Sequence, residues 1–463
     1  MDFYLLYSPI WRKSILLAWP IVLSHIFTTA MRTTDMILMG MFGPAAVAAV
    51  GLGDVWERIV LRIGLGLGTG GIALISQETG ADNQQSAANS NIVLTQVLLT
   101  GFLIGIPFIL IGWLIPGKLI ALLGAEREVV TLGAQYLLII FSAAPFRIVS
   151  LISSRALQGT GDTKTPMLIG IVSNIVNIAL SVVLALGIGF FPELGVLGVG
   201  IGTFTAKFLD SILYTIVFII PDGKLGLSRP SRDWDLTITR QLLKVGIPSS
   251  LQGGYQSLIT FPFNALLLLI GTEAAAAYHI GRRIQQQLLA PLHRAFGTVT
   301  TIMTGQMLGA GQPDESRKIT KGIFWLSVFT IGILSMILFI FAPQVVSLFS
   351  DEQSTMTYAV GFLRALSIGA PLLAFSHVLS GLLTAAGDTR TPFYGVVINQ
   401  TLFKLALAYL LSVIFSWNLK GIYIALVLEH LGQLIWVARR FRGSQWIEDA
   451  QQMINERQRS IDV

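Results

Sequence analysis

GTGDTKTP at residues 159–166 returns as AAGDTRTP at residues 385–392, and each copy follows an Ala-Pro pair, Ala144-Pro145 in one case and Ala370-Pro371 in the other. Two further landmarks keep nearly the same offset. SQETGAD from Ser76 is matched by GQMLGAG from Gly305, and GPAAVAAVGLG from Gly43 is matched by GTEAAAAYHIG from Gly271. A constant offset over landmarks so far apart marks two related halves. Within each copy, Thr165 and Thr391 are suited to cap a helix N-terminus, with Pro166 and Pro392 in its first turn.

Around these landmarks the chain is 53% hydrophobic and only 12% charged, with mean hydropathy +0.71. A soluble surface needs about 25% charged residues, so lipid must solvate most of the molecule. Apolar runs long enough to cross about 30 Å of hydrocarbon predict helices. They lie near 16–42, 45–77, 93–116, 131–157, 167–190 and 195–220, then near 239–270, 273–307, 320–349, 357–385, 393–416 and 419–440. The expectation is an all-α membrane protein of twelve transmembrane helices in two six-helix lobes. An offset that spans an even number of helices gives both lobes one orientation, so a pseudo-twofold axis should run along the membrane normal. The lobes are expected at 1–220 and 239–440, joined by a cytoplasmic linker at 221–238 and followed by a polar cytoplasmic tail at 441–463.

The basic residues set the orientation. With the N-terminus inside, cytoplasmic parts hold Arg12, Lys13, Arg155, Lys164, Arg240, Arg317, Lys318, Lys321, Arg390, Arg439, Arg440 and Arg442 among others, whereas external loops hold only Lys118, Arg127 and Lys420. The reverse orientation would violate the positive-inside rule. A multi-pass protein of the cytoplasmic membrane with both termini cytoplasmic is expected. The formal charge of +6 reflects these loops rather than a nucleic-acid surface. The chain has no cysteine, which excludes disulfides and thiol chemistry. Its five histidines show no metal-ligand or catalytic spacing, so neither an enzyme nor a metal cofactor is expected. GLGLGTGG at 64–71 lacks the Lys-Ser/Thr of a phosphate loop and reads as a helix-packing surface.

The sequence resembles the multidrug and toxic compound extrusion (MATE) family. The residues that carry the resemblance are Pro20, TTDMILMGMFGPAAVAAVGLG from Thr33, SQETGAD, GTGDTKTP, SNIVNIALS from Ser173 and GVLGVGIGT ending at Thr203, with their second-half counterparts. The resemblance implies a V-shaped pair of six-helix lobes that export organic compounds against inward flow of protons or sodium ions. NorM-like members carry an acid in helix 7 where this chain has Gln256, and another in helix 10 that has no counterpart between Ala370 and Thr384. Asp35 in helix 1 is similar to the DinF-like branch. The helix 5 acid of several prokaryotic members is Ser181 here, four residues after Asn177; that loss favours proton over sodium as the coupling ion.

An intramembrane carboxylate costs about 2.5–3.5 kcal/mol on insertion scales, so a site with no use for one tends to lose it. Helix rise places Asp35 and Thr203 at similar depths, with Asn177 near the midplane and Ser181 one turn further out. Asp35, Asn177, Ser181 and Thr203 are the candidate ion-coupling set. Glu57, Arg58 and Arg62 of helix 2, with Gln256, Arg282 and Arg283 of the second half, are the candidate substrate cavity. So much guanidinium suits a small anionic or zwitterionic organic substrate; internal pairing of these charges is the competing reading. Lys404 and Glu429 both fall near mid-membrane and can form a structural charge pair. The function expected is a cation-coupled antiporter that works by alternating access as a monomer in the lipid bilayer. A lipid-linked precursor flippase of the same superfamily is the alternative.

Overall fold

Backbone groups inside a bilayer must pair within their own segment, so the long apolar runs fold as helices. The computed structural model describes residues 2–81, 86–220, 224–228, 235–349 and 352–461, and among these every regular element is helical. In the first half these are α1 (Asp2–Met41), α2 (Pro44–Ala81), α3 (Ser86–Leu114), α4 (Pro116–Ala121), α5 (Arg127–Ser142), α6 (Ala144–Gly159), α7 (Lys164–Leu186) and α8 (Val196–Ile219). The second half holds α9 (Leu236–Leu258), α10 (Thr260–Ile270), α11 (Thr272–Leu288), α12 (Ala290–Gly309), α13 (Pro313–Ile340), α14 (Ala342–Val346) and α15 (Gln353–Ala385). It ends with α16 (Arg390–Ile414), α17 (Leu419–Arg442) and α18 (Gln445–Ile461). Gln400–Ala406 and Leu410–Ile414 of α16 are wound as π-helix.

Ten spans among the described residues are long and apolar enough to cross a membrane, and the α5–α6 pair, bent by 48°, makes an eleventh. The bend falls at Pro145, which cannot donate an amide to the preceding turn; its counterpart Pro371 lies inside the single helix α15. The twelfth expected crossing, 273–307, is helical as α11 and α12. It is not among those spans because Glu273, Arg282, Arg283 and Arg294 crowd its sequence.

The described residues pack as two units. Leu23–Ser250 with Arg457–Val463 form the N-terminal unit, and Met1–Val22 with Leu251–Glu456 the C-terminal unit. In the N-terminal unit the glycines at 64–71 do pack helices closely. A Cβ on Gly66 would fall 1.9 Å from Ser250 Oγ and 2.5 Å from the Gly246 carbonyl oxygen, and one on Gly70 2.9 Å from the Leu242 carbonyl oxygen. Much of the expected linker, 221–223 and 229–234, lies outside the described residues. The part between packs on α3, where Asn91 Oδ1 accepts from the Gly226 amide at 2.7 Å and Thr95 Oγ1 from the Ser228 amide at 3.1 Å.

One expectation is corrected. The repeated Asp-Thr-Lys/Arg-Thr-Pro turns are capped by their aspartates, not by Thr165 and Thr391. Asp162 accepts from the Thr165 amide at 3.0 Å and its hydroxyl at 2.7 Å, and Asp388 does the same for Thr391. An aspartate three residues ahead satisfies the unpaired amides at the helix start. The segment after 441, expected as a polar cytoplasmic tail, is folded as the amphipathic helix α18. Its Trp446 and Ala450 are buried against Leu308, Leu382 and Val437 in the C-terminal unit. Further along, Arg457 is fully buried in the N-terminal unit, donating to Glu78 Oε1 at 2.5 Å, Gln241 Oε1 at 2.9 Å and Gln77 Oε1 at 3.0 Å.

Candidate functional site

In the N-terminal unit, α7 and α8 meet closely because Gly202 offers no side chain; a Cβ there would lie 2.5 Å from Ser181 Oγ. That approach lines up three polar side chains. Ser181 Oγ donates to Asn177 Oδ1 at 3.2 Å, and Asn177 Nδ2 donates to Thr203 Oγ1 at 3.3 Å. Asn177 and Ser181 are fully buried. Ser181 also faces the carboxyl group of Asp35 on α1, whose Oδ1 is buried without a hydrogen-bond partner among the described residues. Asn174 Nδ2, donating to Thr28 Oγ1 at 3.4 Å, ties α7 to α1 just below this point. The structure therefore brings all four candidate ion-coupling residues into one cluster.

The same cluster takes in Glu57, which the sequence assigned to the substrate cavity. Glu57 interacts with Asp35 and Asp54, and the Tyr136 hydroxyl donates to Asp54 Oδ1 at 3.5 Å. Three carboxyl groups this close need positive charge nearby. The partner of Glu57 is not Arg58 or Arg62 on its own helix but Arg147 on α6, in a direct salt bridge. Arg58 is exposed and lies near Asp54, and Arg62 is half-buried one turn further along α2. Arg32 adds charge close to Asp35 and Glu57, and Lys207 binds Asp210 at 2.8 Å. Arg147, Tyr136, Lys207 and Asp210 were missed from sequence. Arg147, a charge two residues after the Ala144-Pro145 landmark and inside an apolar segment, was the signal available.

In the C-terminal unit a second set gathers around α11, α16 and α17. Lys404 Nζ lies 3.7 Å from Glu429 Oε2, both side chains nearly inaccessible, and 5.1 Å from the centroid of the Phe263 ring. Arg282 donates to the Tyr278 hydroxyl at 2.6 Å and also interacts with Glu429. Arg283 is exposed on the next position of α11, and Gln256 is half-buried on α9. Basic groups outnumber acids here, which is the charge balance an anionic group would meet.

Known proteins resemble the chain over nearly its whole length. The family model described as MatE matches the chain twice, over residues 20–183 and 248–410, once in each half. The chain is 26% identical to the probable multidrug resistance protein YoeA of Bacillus subtilis, over 90% of each chain. It is also 26% identical to a FAD transporter of Shewanella oneidensis, over 92% of this chain and 93% of that one. Among solved structures, a MOP superfamily transporter from Pyrococcus furiosus superposes with a TM-score of 0.84 at 21% identity, covering 97% of this chain and 98% of that chain.

Proposed function

The chain belongs to the MatE family of multi-pass membrane transporters, and from that premise we propose that it is a proton-coupled antiporter that exports small organic compounds by alternating access, with Asp35 as the proton carrier. The observation that carries this reading is the unpartnered Asp35 Oδ1, buried at the end of the Ser181–Asn177–Thr203 chain. A carboxylate in lipid surroundings needs a partner charge or a proton. Arg32 is the cation beside Asp35, and Arg147 is committed to the neighbouring Glu57, which leaves Asp35 to bind and release a proton. Protonation removes its charge and its demand for Arg32; release restores both. The two states differ in local electrostatics, as a coupling group must for an ion to shift a conformational equilibrium.

Proton is favoured over sodium because hard cations need several oxygen ligands, and Ser181 and Gln256 stand where sodium-coupled relatives carry acids. The Asp35 placement and the absence of a C-terminal acid at Gln256 support a DinF-like position in the family. Arg282, Arg283, Arg58 and Lys404 support an anionic or zwitterionic substrate. The positive-inside distribution supports cytoplasmic termini in the cytoplasmic membrane.

The test is Asp35→Asn in proteoliposomes. Asn keeps the shape but cannot exchange a proton, so gradient-driven export of a fluorescent substrate should be lost while equilibrium binding of that substrate persists. Undiminished gradient-driven export would remove Asp35 from the mechanism.

A further inference from the structure

The start of α1 and the whole of α13 belong to the C-terminal unit, and their outer faces carry charge and apolar surface in an order that export does not use. Along α13, Lys318, Lys321, Trp325, Phe329, Ile333 and Met336 follow one another at helical spacing and form a single stripe. Every one of them is exposed, Trp325 by 40%, Phe329 by 50% and Met336 by 65%. The stripe is basic in its first turns and apolar beyond them. An apolar run this open, on a helix long enough to cross a bilayer, lies against acyl chains.

α1 brings further basic groups to the same end. Its Trp11 donates through Nε1 to the Gly322 carbonyl oxygen at 2.8 Å, and its ring meets that of Phe329 edge-on with centroids 6.0 Å apart. Ser14, fully buried, reaches Met303 Sδ of α12 at 3.6 Å. With Trp11 and Ser14 turned inward, Arg12, Lys13, Leu16 and Trp19 are left exposed on the outer face. Gly322 adjoins Lys321 and follows Lys318 by one turn, so the Trp11 contact sets Arg12 and Lys13 at the level of those lysines.

The acids at this end of α13 are Asp314 and Glu315 in its first turn. Glu315 pairs with Lys318 at 3.4 Å between side chains about half exposed, and a pair that open to solvent stabilises little. Arg12, Lys13, Lys318 and Lys321 therefore leave a surplus of positive charge over Asp314 and Glu315. Indole rings between a charged turn and an apolar run sit at the headgroup level of a bilayer, where basic side chains meet lipid phosphate.

We propose that α1 and α13 form a binding site for an anionic phospholipid, with its headgroup held by Arg12, Lys13, Lys318 and Lys321 and its acyl chains laid along Trp325, Phe329, Ile333 and Met336. A zwitterionic phospholipid carries a headgroup cation that cancels its phosphate, so net charge decides which lipid is kept. The site is separate from Asp35 and does not rest on the coupling role assigned to that residue.

Quenching of tryptophan fluorescence by brominated lipids tests it, because Trp11 and Trp325 report from the site itself. The full-length protein is placed in phosphatidylcholine nanodiscs that contain a rising minor share of either brominated phosphatidylglycerol or brominated phosphatidylcholine. Half-maximal quenching should need several-fold less of the anionic lipid. That preference should vanish in a variant carrying Arg12→Gln, Lys13→Gln, Lys318→Gln and Lys321→Gln. It should persist when Lys164→Gln, Arg390→Gln, Arg439→Gln and Arg442→Gln remove as many exposed charges elsewhere. Equal quenching by the two lipids in the parent, or equal loss of the preference in both variants, overturns the site and leaves a diffuse attraction to basic surface. Should the first variant fail to fold, Trp325→Phe decides. It should lower the amplitude of quenching by the anionic lipid more than that by the brominated phosphatidylcholine, and an unchanged anionic-lipid amplitude would show that the lipid binds elsewhere.

Discussion

Replacing Arg457 by Ala should destabilise the protein more than any other change in its polar C-terminal segment. The side chain is fully buried and donates to Glu78, Gln241 and Gln77 at 2.5–3.0 Å. Removing one partner of a buried ion pair costs about 3–5 kcal/mol, because the other charge is left unpaired. Gln77 and Gln241, 1% and 3% exposed, each lose one hydrogen bond worth about 0.5–1.5 kcal/mol and bring the total to about 4–8 kcal/mol. For a chain of this length unfolding cooperatively, about 1 kcal/mol shifts Tm by about 1 °C, so a fall of about 4–8 °C is expected. The assay is thermal unfolding followed by tryptophan fluorescence, which nine tryptophans support; the lack of cysteine rules out thiol-reactive dyes. Adding Glu78→Gln to Arg457→Ala should recover part of the loss by removing the stranded charge. If Arg457→Ala melts with the parent, or the double variant melts lower than the single one, α18 is a solvated appendage and the reasoning fails.

Lys404→Met alone or Glu429→Gln alone should each cost about 3–5 kcal/mol, whereas Lys404→Met with Glu429→Leu should come close to the parent in Tm; equal losses from all three would show that the pair itself supplies the stability. Gly66→Ala should prevent stable expression, since its Cβ would fall 2.5 Å from a backbone oxygen that cannot step aside, and a well-folded variant in membrane extracts would contradict the close α2–α9 packing. Arg282→Gln should weaken export of a fluorescent organic anion several-fold more than export of a fluorescent cation such as ethidium, measured side by side in proteoliposomes; equal effects would leave Arg282 a structural partner of Tyr278.

What could be read in the sequence followed from repetition and from polar residues in apolar surroundings. The two copies of Gly-Asp-Thr-Lys/Arg-Thr-Pro located equivalent helices, and Asp35, Asn177, Ser181 and Thr203 stood out because lipid makes each of them costly. Helix rise alone then placed them near one level. The Glu57–Arg147 pair was not legible in the same way. Arg58 and Arg62 lie one and two turns from Asp54 along the same helix, and helical spacing favoured pairing there, but the bent α5–α6 segment brings Arg147 across to Glu57 from a distant part of the chain. Asp162 and Asp388 lost the capping role to their neighbouring threonines in the sequence reading because either residue type can cap, and only the turn geometry decides. Arg457 was hidden for a different reason. In a segment as polar as 441–463 an arginine is ordinarily solvated, and nothing local marks the three acceptors that bury it.

The central claim is that protons bound at Asp35 drive export, and the most direct measurement is ion flux during transport. Purified protein in proteoliposomes, given either a pH gradient or a sodium gradient of equal size, is assayed for export of fluorescent organic anions and for the accompanying proton movement. The account predicts that the pH gradient drives export with proton counterflow, that the sodium gradient alone drives little, and that Asp35→Asn abolishes both export and counterflow. Export driven by sodium at constant pH, or proton counterflow that survives Asp35→Asn unchanged, would contradict it.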